Sequence, residues 1–188
     1  MSLSRFGAAL LAVVLPISLA AQTASTTEQA DPARVYGNMI RTAERAIVGL
    51  ADAMPEEKYS FAPATGLFAA GQNTEFKGVR TFAQQVAHVA SSNYEYLQGM
   101  GFEKDKDFAA IEKLTTKAEA LQALKDSFAA AEKAAATITP QNAFEGMGPK
   151  KSTTRAGLAA AIAWHTMDHY GQLVIYARMN GIVPPQSR

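Results

Sequence analysis

Two of the three histidines in this chain, His165 and His169, lie four residues apart in a segment with the apolar period of an α-helix. A helix turns by about 100° per residue, so a four-residue step returns to within about 40° of the same direction. Both imidazoles therefore share one helix face. That face also carries Leu158, Ala161 and Tyr176. The fold must pack an imidazole-bearing face against other elements.

Three further segments have apolar residues at alternating steps of three and four, which predicts three more long helices. The first begins at Asp31-Pro32 and ends at Met54-Pro55, the second covers residues 81–99, and the third covers residues 116–138. The helix with the histidine pair is capped within Ser152-Thr-Thr154 and ends at Asn180-Gly181. A short helix is predicted over residues 108–114.

The connection between the first two helices, residues 55–80, contains two Pro and three Gly and has no sustained period. A link of this length can run along a bundle, so the second helix need not be the antiparallel neighbour of the first. No segment has a convincing strand pattern. We predict an all-α domain over residues 31–185, a four-helix bundle with a long crossover between helices 1 and 2.

The first residues differ from the rest of the chain. Arg5 precedes an apolar run over residues 6–19, and small side chains precede a cleavage point at Ala20 or Ala21, which predicts a signal peptide over residues 1–21. Residues 22–30 are predicted to be a disordered leader. The mature protein is expected to be periplasmic or secreted, with no stable membrane anchor after cleavage.

The composition excludes several classes of function. The formal charge is +1 without a basic cluster, so nucleic acid is not an expected partner. The absence of cysteine removes thiolate metal ligands and a cysteine nucleophile.

The third histidine, His88, lies in the second predicted helix, on a polar stripe that includes Ser92. Together with His165 and His169 it predicts a metal site with three imidazole ligands and open positions for water or substrate. Imidazole ligands suit zinc, nickel, copper and iron alike. The zinc-protease motif requires Glu directly after the first histidine of the pair, and Thr166 stands there instead.

Four side chains are candidates for the pocket or for hydrogen bonds to the ligands. Gln172 lies one turn beyond the histidine pair, and Tyr176 and Glu95 share the predicted faces of the ligands. Gln172 can instead be a buried amide, and Tyr176 a core residue. Asp168 can support a ligand or remain a solvated carboxylate. Trp164 is rotated by about 100° from His165 and is expected to pack.

The residues around the histidines resemble those of a known family. The segment His165-Thr-Met-Asp-His169-Tyr-Gly-Gln-Leu173, followed by Tyr176-Ala-Arg-Met-Asn-Gly-Ile-Val-Pro-Pro185, is similar to the C-terminal signature of the DinB-like superfamily. Thr81-Phe-Ala-Gln-Gln-Val-Ala-His88 resembles the segment that carries that family's first metal ligand. Ala53-Met-Pro-Glu-Glu-Lys-Tyr-Ser-Phe61 is similar to the stretch after its first helix. The resemblance extends over residues 32–185.

The resemblance implies an up-down-down-up bundle that holds one divalent transition metal, zinc or nickel, at His88, His165 and His169. It also implies a metal-dependent transferase that uses a thiol such as bacillithiol, mycothiol or glutathione, or a hydrolase that uses water. In either reaction the ion activates the nucleophile toward a small electrophilic substrate. The catalytic residues stay unassigned, and a homodimer is compatible with the family. The alternative is a non-catalytic exported metal-binding or stress-associated module with a structural ion.

Overall fold

The computed structural model describes residues 29–64, 67, 69–72 and 75–188. Five α-helices and no strand occur in these ranges: α1 Pro32–Ala53, α2 Phe82–Gly99, α3 Phe108–Ile111, α4 Lys117–Ala135 and α5 Arg155–Met179. Short 3-10 turns lie at Glu56–Lys58 and Pro185–Ser187. The prediction of an all-α helical bundle is confirmed. The predicted signal peptide, and the leader up to residue 28, lie outside the described residues.

Each long helix begins at a polar cap that the sequence contains. Asp31 accepts a hydrogen bond from the Ala33 amide, and Thr81 and Gln84 form a reciprocal capping box at the start of α2. Thr116 caps α4, and Thr154 is the residue of the predicted Ser-Thr-Thr segment that caps α5. These caps satisfy amides that have no partner within the helix.

Two predicted ends were wrong. The structure ends α4 at Ala135, three residues before the predicted Ile138, yet Ile138 is buried all the same. It also ends α3 at Ile111 rather than at residue 114. Apolar periodicity continues beyond both helices because turn residues can face the core as well.

The core lies between two pairs of helices, because α1 and α2 each pack against both α4 and α5. Burial of a large apolar side chain stabilises the fold by about 1.5–3 kcal/mol. The largest fully buried side chains come from every long helix and from the adjoining turns: Tyr59, Phe82, Phe128, Ile40, Ile47, Leu50, Met54, Leu97, Leu124, Ile138, Ile162 and Leu173.

Helix α2 is buried around most of its circumference. Ser92, which belongs to the predicted polar stripe, is buried together with Ser91 and Asn93. The cause is that α3, α4 and α5 all contact α2. Asn93 Nδ2 donates to Ser127 Oγ on α4 at 3.1 Å, whereas Asn93 Oδ1 is buried without a hydrogen bond to any described residue.

Helices α2 and α5 run antiparallel. Gln85 near the start of α2 bonds to Gln172 near the end of α5. At the other end a Cβ on Gly99 would lie 3.1 Å from Leu158 Cδ1, so glycine permits the close approach. This arrangement places His88 opposite the histidine pair. The complete up-down-down-up order of the four long helices stays a prediction.

The connection between α1 and α2 does not carry the chain along the bundle, contrary to the prediction. The amides of Phe82 and Ala83 donate to the carbonyls of Phe61 and Tyr59, so the chain reaches the start of α2 soon after leaving α1. Tyr59 is buried there, and its hydroxyl donates to the Ala51 carbonyl at 2.7 Å. Hydrogen bonds between the two helix ends thus hold the connection at one end of the bundle.

The segment that returns along the bundle is residues 100–116, between α2 and α4. Ser91 Oγ donates to the Phe108 carbonyl at 3.5 Å, and Glu112 reaches His88 one turn nearer the start of α2. Lys117, the first residue of α4, donates to the carbonyls of Asp52 and Met54 at the end of α1. This crossover carries α3 past the histidines.

Within the described part of the chain, no helix combines the length and the hydropathy that a membrane span requires.

Candidate metal centre

The three histidines meet between α2 and α5, as predicted from the sequence. One ring nitrogen of each lies within 4.8 Å of the others. His165 Nε2 and His169 Nε2 are 3.2 Å apart, and the ring centroids of His88 and His169 are 4.8 Å apart. His169 is buried, whereas His88 and His165 are partly exposed. The cluster is therefore shielded on one side and accessible on the other.

The spacing of the nitrogens fits a shared metal ion. Two nitrogens bound to zinc at about 2.0–2.1 Å with a tetrahedral angle lie about 3.3 Å apart. The two Nε2 atoms of α5 already have this separation. The three imidazoles could hold a divalent transition metal and leave positions open for further ligands.

A chain of hydrogen bonds fixes the tautomer of His169. Asp168 Oδ2 can only accept, so Gln172 Nε2 donates to it at 3.2 Å. Gln172 Oε1 in turn accepts from Gln85 Nε2 at 2.9 Å, which leaves Gln85 Oε1 facing His169 Nδ1 at 2.7 Å. His169 Nδ1 must then carry the proton, and Nε2 keeps its lone pair for a metal.

His88 is oriented by a carboxylate. Its Nδ1 lies 2.7 Å from Glu112 Oε1, so Nδ1–H donates to the carboxylate and Nε2 is left as the ligand atom. Hydrogen-bond partners of this kind orient histidines for metal binding. The side chain of His88 is 20% exposed and that of Glu112 is 36% exposed.

His165 has no equivalent partner. Its Nδ1 is buried without a hydrogen bond to any described residue. Aromatic rings flank it instead: the centroids of Tyr96 and Trp164 lie 5.8 Å and 5.9 Å from that of His165. Packing rather than hydrogen bonding orients this ring.

The surroundings keep the imidazoles of α5 neutral. Burial, and then the neighbouring His165 and His88, lowers the pKa of His169 to about 4. Burial and then His88 also lower the pKa of His165, although the charges of Asp168 and Glu95 act in the opposite direction. A neutral imidazole is the form that binds metal.

The four residues predicted to line the pocket or to support the histidines differ in burial and in their contacts. Gln172 and Asp168 are exposed and belong to the hydrogen-bond chain behind His169. Tyr176 is buried, donates to the Arg80 carbonyl at 3.0 Å and packs edge-on against Phe61. These contacts favour the core alternative for Tyr176. Glu95 is exposed on α2.

Sequence reasoning missed Gln85, Glu112 and the orientation of Tyr96. Gln85 precedes His88 by three residues, a spacing that places both on neighbouring positions of one helix face and could have identified it. We assigned Gln84 to that face, but its side chain caps α2. Glu112 has no local signal, because its contact depends on the path of the crossover.

Trp164, which we predicted to be a packing residue, lies mostly at the surface. Its side chain is 60% exposed. It lines a surface groove between α1 and α5 with Met39 and Met167, which are also exposed. The centroid of the Trp164 ring lies 5.9 Å from that of His165, with the two ring planes 81° apart.

Comparison with known families agrees with the geometry. Residues 39–173 match the sequence model of the DinB superfamily, and the match contains all three histidines. The chain belongs to the DinB superfamily. No curated protein matches it. The match confirms the resemblance of the segments around His88 and His165, and it covers most of the chain.

Proposed function

We propose that this DinB superfamily member is a metal-dependent enzyme that activates a thiol or a water molecule toward a small electrophilic substrate. The ion is held by Nε2 of His88, His165 and His169. The reaction class is S-transfer when the nucleophile is a thiol and hydrolysis when it is water.

One observation carries the proposal. Three imidazoles converge from two helices, and two of them have their outer nitrogens fixed by Glu112 and Gln85. This is the arrangement of an ion with three protein ligands, in which the remaining positions accept water or substrate. A bound ion lowers the pKa of its thiol or water ligand, which supplies the nucleophile near neutral pH.

The proposed ion is zinc or nickel, and the proposed location is the periplasm or the exterior. Imidazole ligands suit both metals. The charged, apolar and small-residue pattern of residues 1–21 supports export. N-terminal sequencing of the protein from the exported fraction tests this, and a mature chain that still begins at Met1 would contradict it.

The experiment starts with metal content. Untagged protein is purified, and its metals are measured by mass spectrometry before and after reconstitution. We expect close to one ion per chain in the wild type and a large loss in His88→Ala, His165→Ala and His169→Ala. A protein that takes up no ion, or three variants that bind as the wild type does, would refute the site.

Nucleophile activation is tested on the cobalt(II)-substituted protein. A thiol that enters an open position gives a sulfur-to-cobalt charge-transfer band, and turnover with a thiol-reactive chromogenic electrophile then follows. Ester hydrolysis without thiol tests the hydrolase alternative. The absence of both thiol coordination and turnover of either probe would contradict an enzymatic role.

The alternative is a structural ion in a non-catalytic exported module. The observation that favours it is the position of the ligands on two different helices, with His169 buried, so that an ion would join α2 to α5. Chelation distinguishes the two. If the protein shows turnover and keeps its helical content after the ion is removed, the catalytic proposal is supported. If the protein unfolds when the ion is removed and shows no turnover, the structural alternative is supported.

A further inference from the structure

A polar cavity of about 340 Å³ adjoins the metal centre. Its lining includes Arg80, Gln84 and Glu112. Glu112 belongs to both features, because its Oε1 is bonded to His88 Nδ1. Only the Glu112 side chain therefore separates a molecule in the cavity from His88, a proposed metal ligand.

Arg80 brings an unpaired positive charge to this cavity. The ion pairs among the described residues are His88–Glu112 and Arg155–Glu145, so the Arg80 guanidinium has no carboxylate partner there. Its main chain is fixed, since its carbonyl accepts the Tyr176 hydroxyl at 3.0 Å.

Gln84 adds further donors to the same wall. Its Oε1 is occupied by the Thr81 amide at 2.9 Å in the cap of α2. The hydrogens of its Nε2 remain for a ligand. A guanidinium beside an amide group matches the two oxygens of a carboxylate, which guanidinium groups bind in bidentate fashion.

We propose that Arg80 and Gln84 bind a carboxylate of the molecule whose reactive group reaches the ion, so that the site selects anionic thiols or substrates. This inference rests on the proposed function and names its ligand class. The bound ion and Arg80 together outweigh the charge of Glu112, which favours an anion electrostatically.

The test compares two thiols of nearly equal size, one with a carboxylate and one with a neutral amide. 3-Mercaptopropionate and its neutral amide, 3-mercaptopropionamide, are titrated into the cobalt(II)-substituted protein, and the charge-transfer band gives each dissociation constant. We expect the wild type to prefer the carboxylate by about tenfold, as one charge-assisted contact provides. Arg80→Gln should remove this preference, because it weakens the affinity for the carboxylate by much more than the affinity for the amide.

Arg45→Gln is the matched control, since Arg45 is an exposed arginine on α1, which packs against α4 and α5. It should keep the preference of the wild type. An equal affinity for both thiols in the wild type would overturn the inference. So would a preference that Arg80→Gln preserves, because the carboxylate would then act on the metal alone.

Failure of the proposed function is distinguishable. If neither thiol enters the coordination sphere, or if the protein takes up no metal, the protein is titrated with acetate and with acetamide, and the NMR signal of Arg80 Nε–H is followed. A larger shift with acetate supports the carboxylate site. Equal shifts with acetate and acetamide overturn the carboxylate site, whether or not the protein reacts with thiols.

Discussion

Removal of the Glu112 carboxylate should weaken metal binding although Glu112 is not a ligand. Its Oε1 accepts from His88 Nδ1 at 2.7 Å. Glu112→Ala leaves this N–H without a protein acceptor and frees the ring to rotate. Both effects act on Nε2, the nitrogen that we propose binds the ion.

The expected loss of metal affinity depends on how exposed the His88–Glu112 pair is to water. Loss of a hydrogen-bond partner to a metal-bound histidine costs about 10–100-fold in affinity, or about 1.4–2.7 kcal/mol. The Glu112 side chain is 36% exposed, so water replaces part of the contact and the lower end of this range applies. We expect about a tenfold loss for Glu112→Ala. Glu112→Gln keeps an acceptor and should lose about fivefold or less.

The assay is competition with a chromogenic zinc chelator at fixed pH. Glu57→Ala is the control, because Glu57 is exposed in the turn after α1. Long-range ¹H–¹⁵N NMR of the metal-free protein adds a second measurement: His88 should be the Nδ1–H tautomer in the wild type and a mixture in Glu112→Ala. Affinity within about twofold of the wild type, together with an unchanged tautomer, would refute the positioning role.

Three further changes have expected outcomes. Gln85→Ala removes the buried acceptor of His169 Nδ1 and should lower zinc affinity by about 10–100-fold in the same competition assay, whereas Gln85→Glu retains it. Phe128→Ala empties a fully buried site and should cost about 3–5 kcal/mol in urea unfolding. Glu44→Gln should stabilise the fold at neutral pH, because burial and a nearby glutamate of α4 raise the pKa of Glu44. A raised carboxyl pKa makes the wild type lose stability as pH rises, so the difference should vanish below about pH 4 in unfolding measurements.

The shared direction of the paired histidines could be predicted from the sequence because its signal is local. The four-residue step from His165 to His169 fixes a common direction on any helix, and the core stripe shows that this direction is inward. The helix starts at Asp31 and Thr81 could be predicted for the same reason, since a cap is a contact between residues two or three apart.

The outer partners of the ligands could not be predicted in the same way. Glu112 lies 24 residues from His88, and their contact depends on how the crossover returns along α2. We placed the crossover between the first two helices because residues 55–80 are long and rich in Pro and Gly. Length alone does not show that Phe61 is hydrogen-bonded to the start of α2. Similarly, apolar period did not reveal that three helices cover α2 and bury Ser92.

The crossover has a consequence for the kinetics of metal exchange. Segments with few buried contacts open locally at a smaller free energy than the whole domain requires. An opening of residues 100–116 would withdraw Glu112 from His88 while the long helices stay packed. Ion release would then follow the opening rate of one loop rather than the unfolding rate of the bundle, and substitutions in that loop could set the residence time of the metal without any change in its ligands.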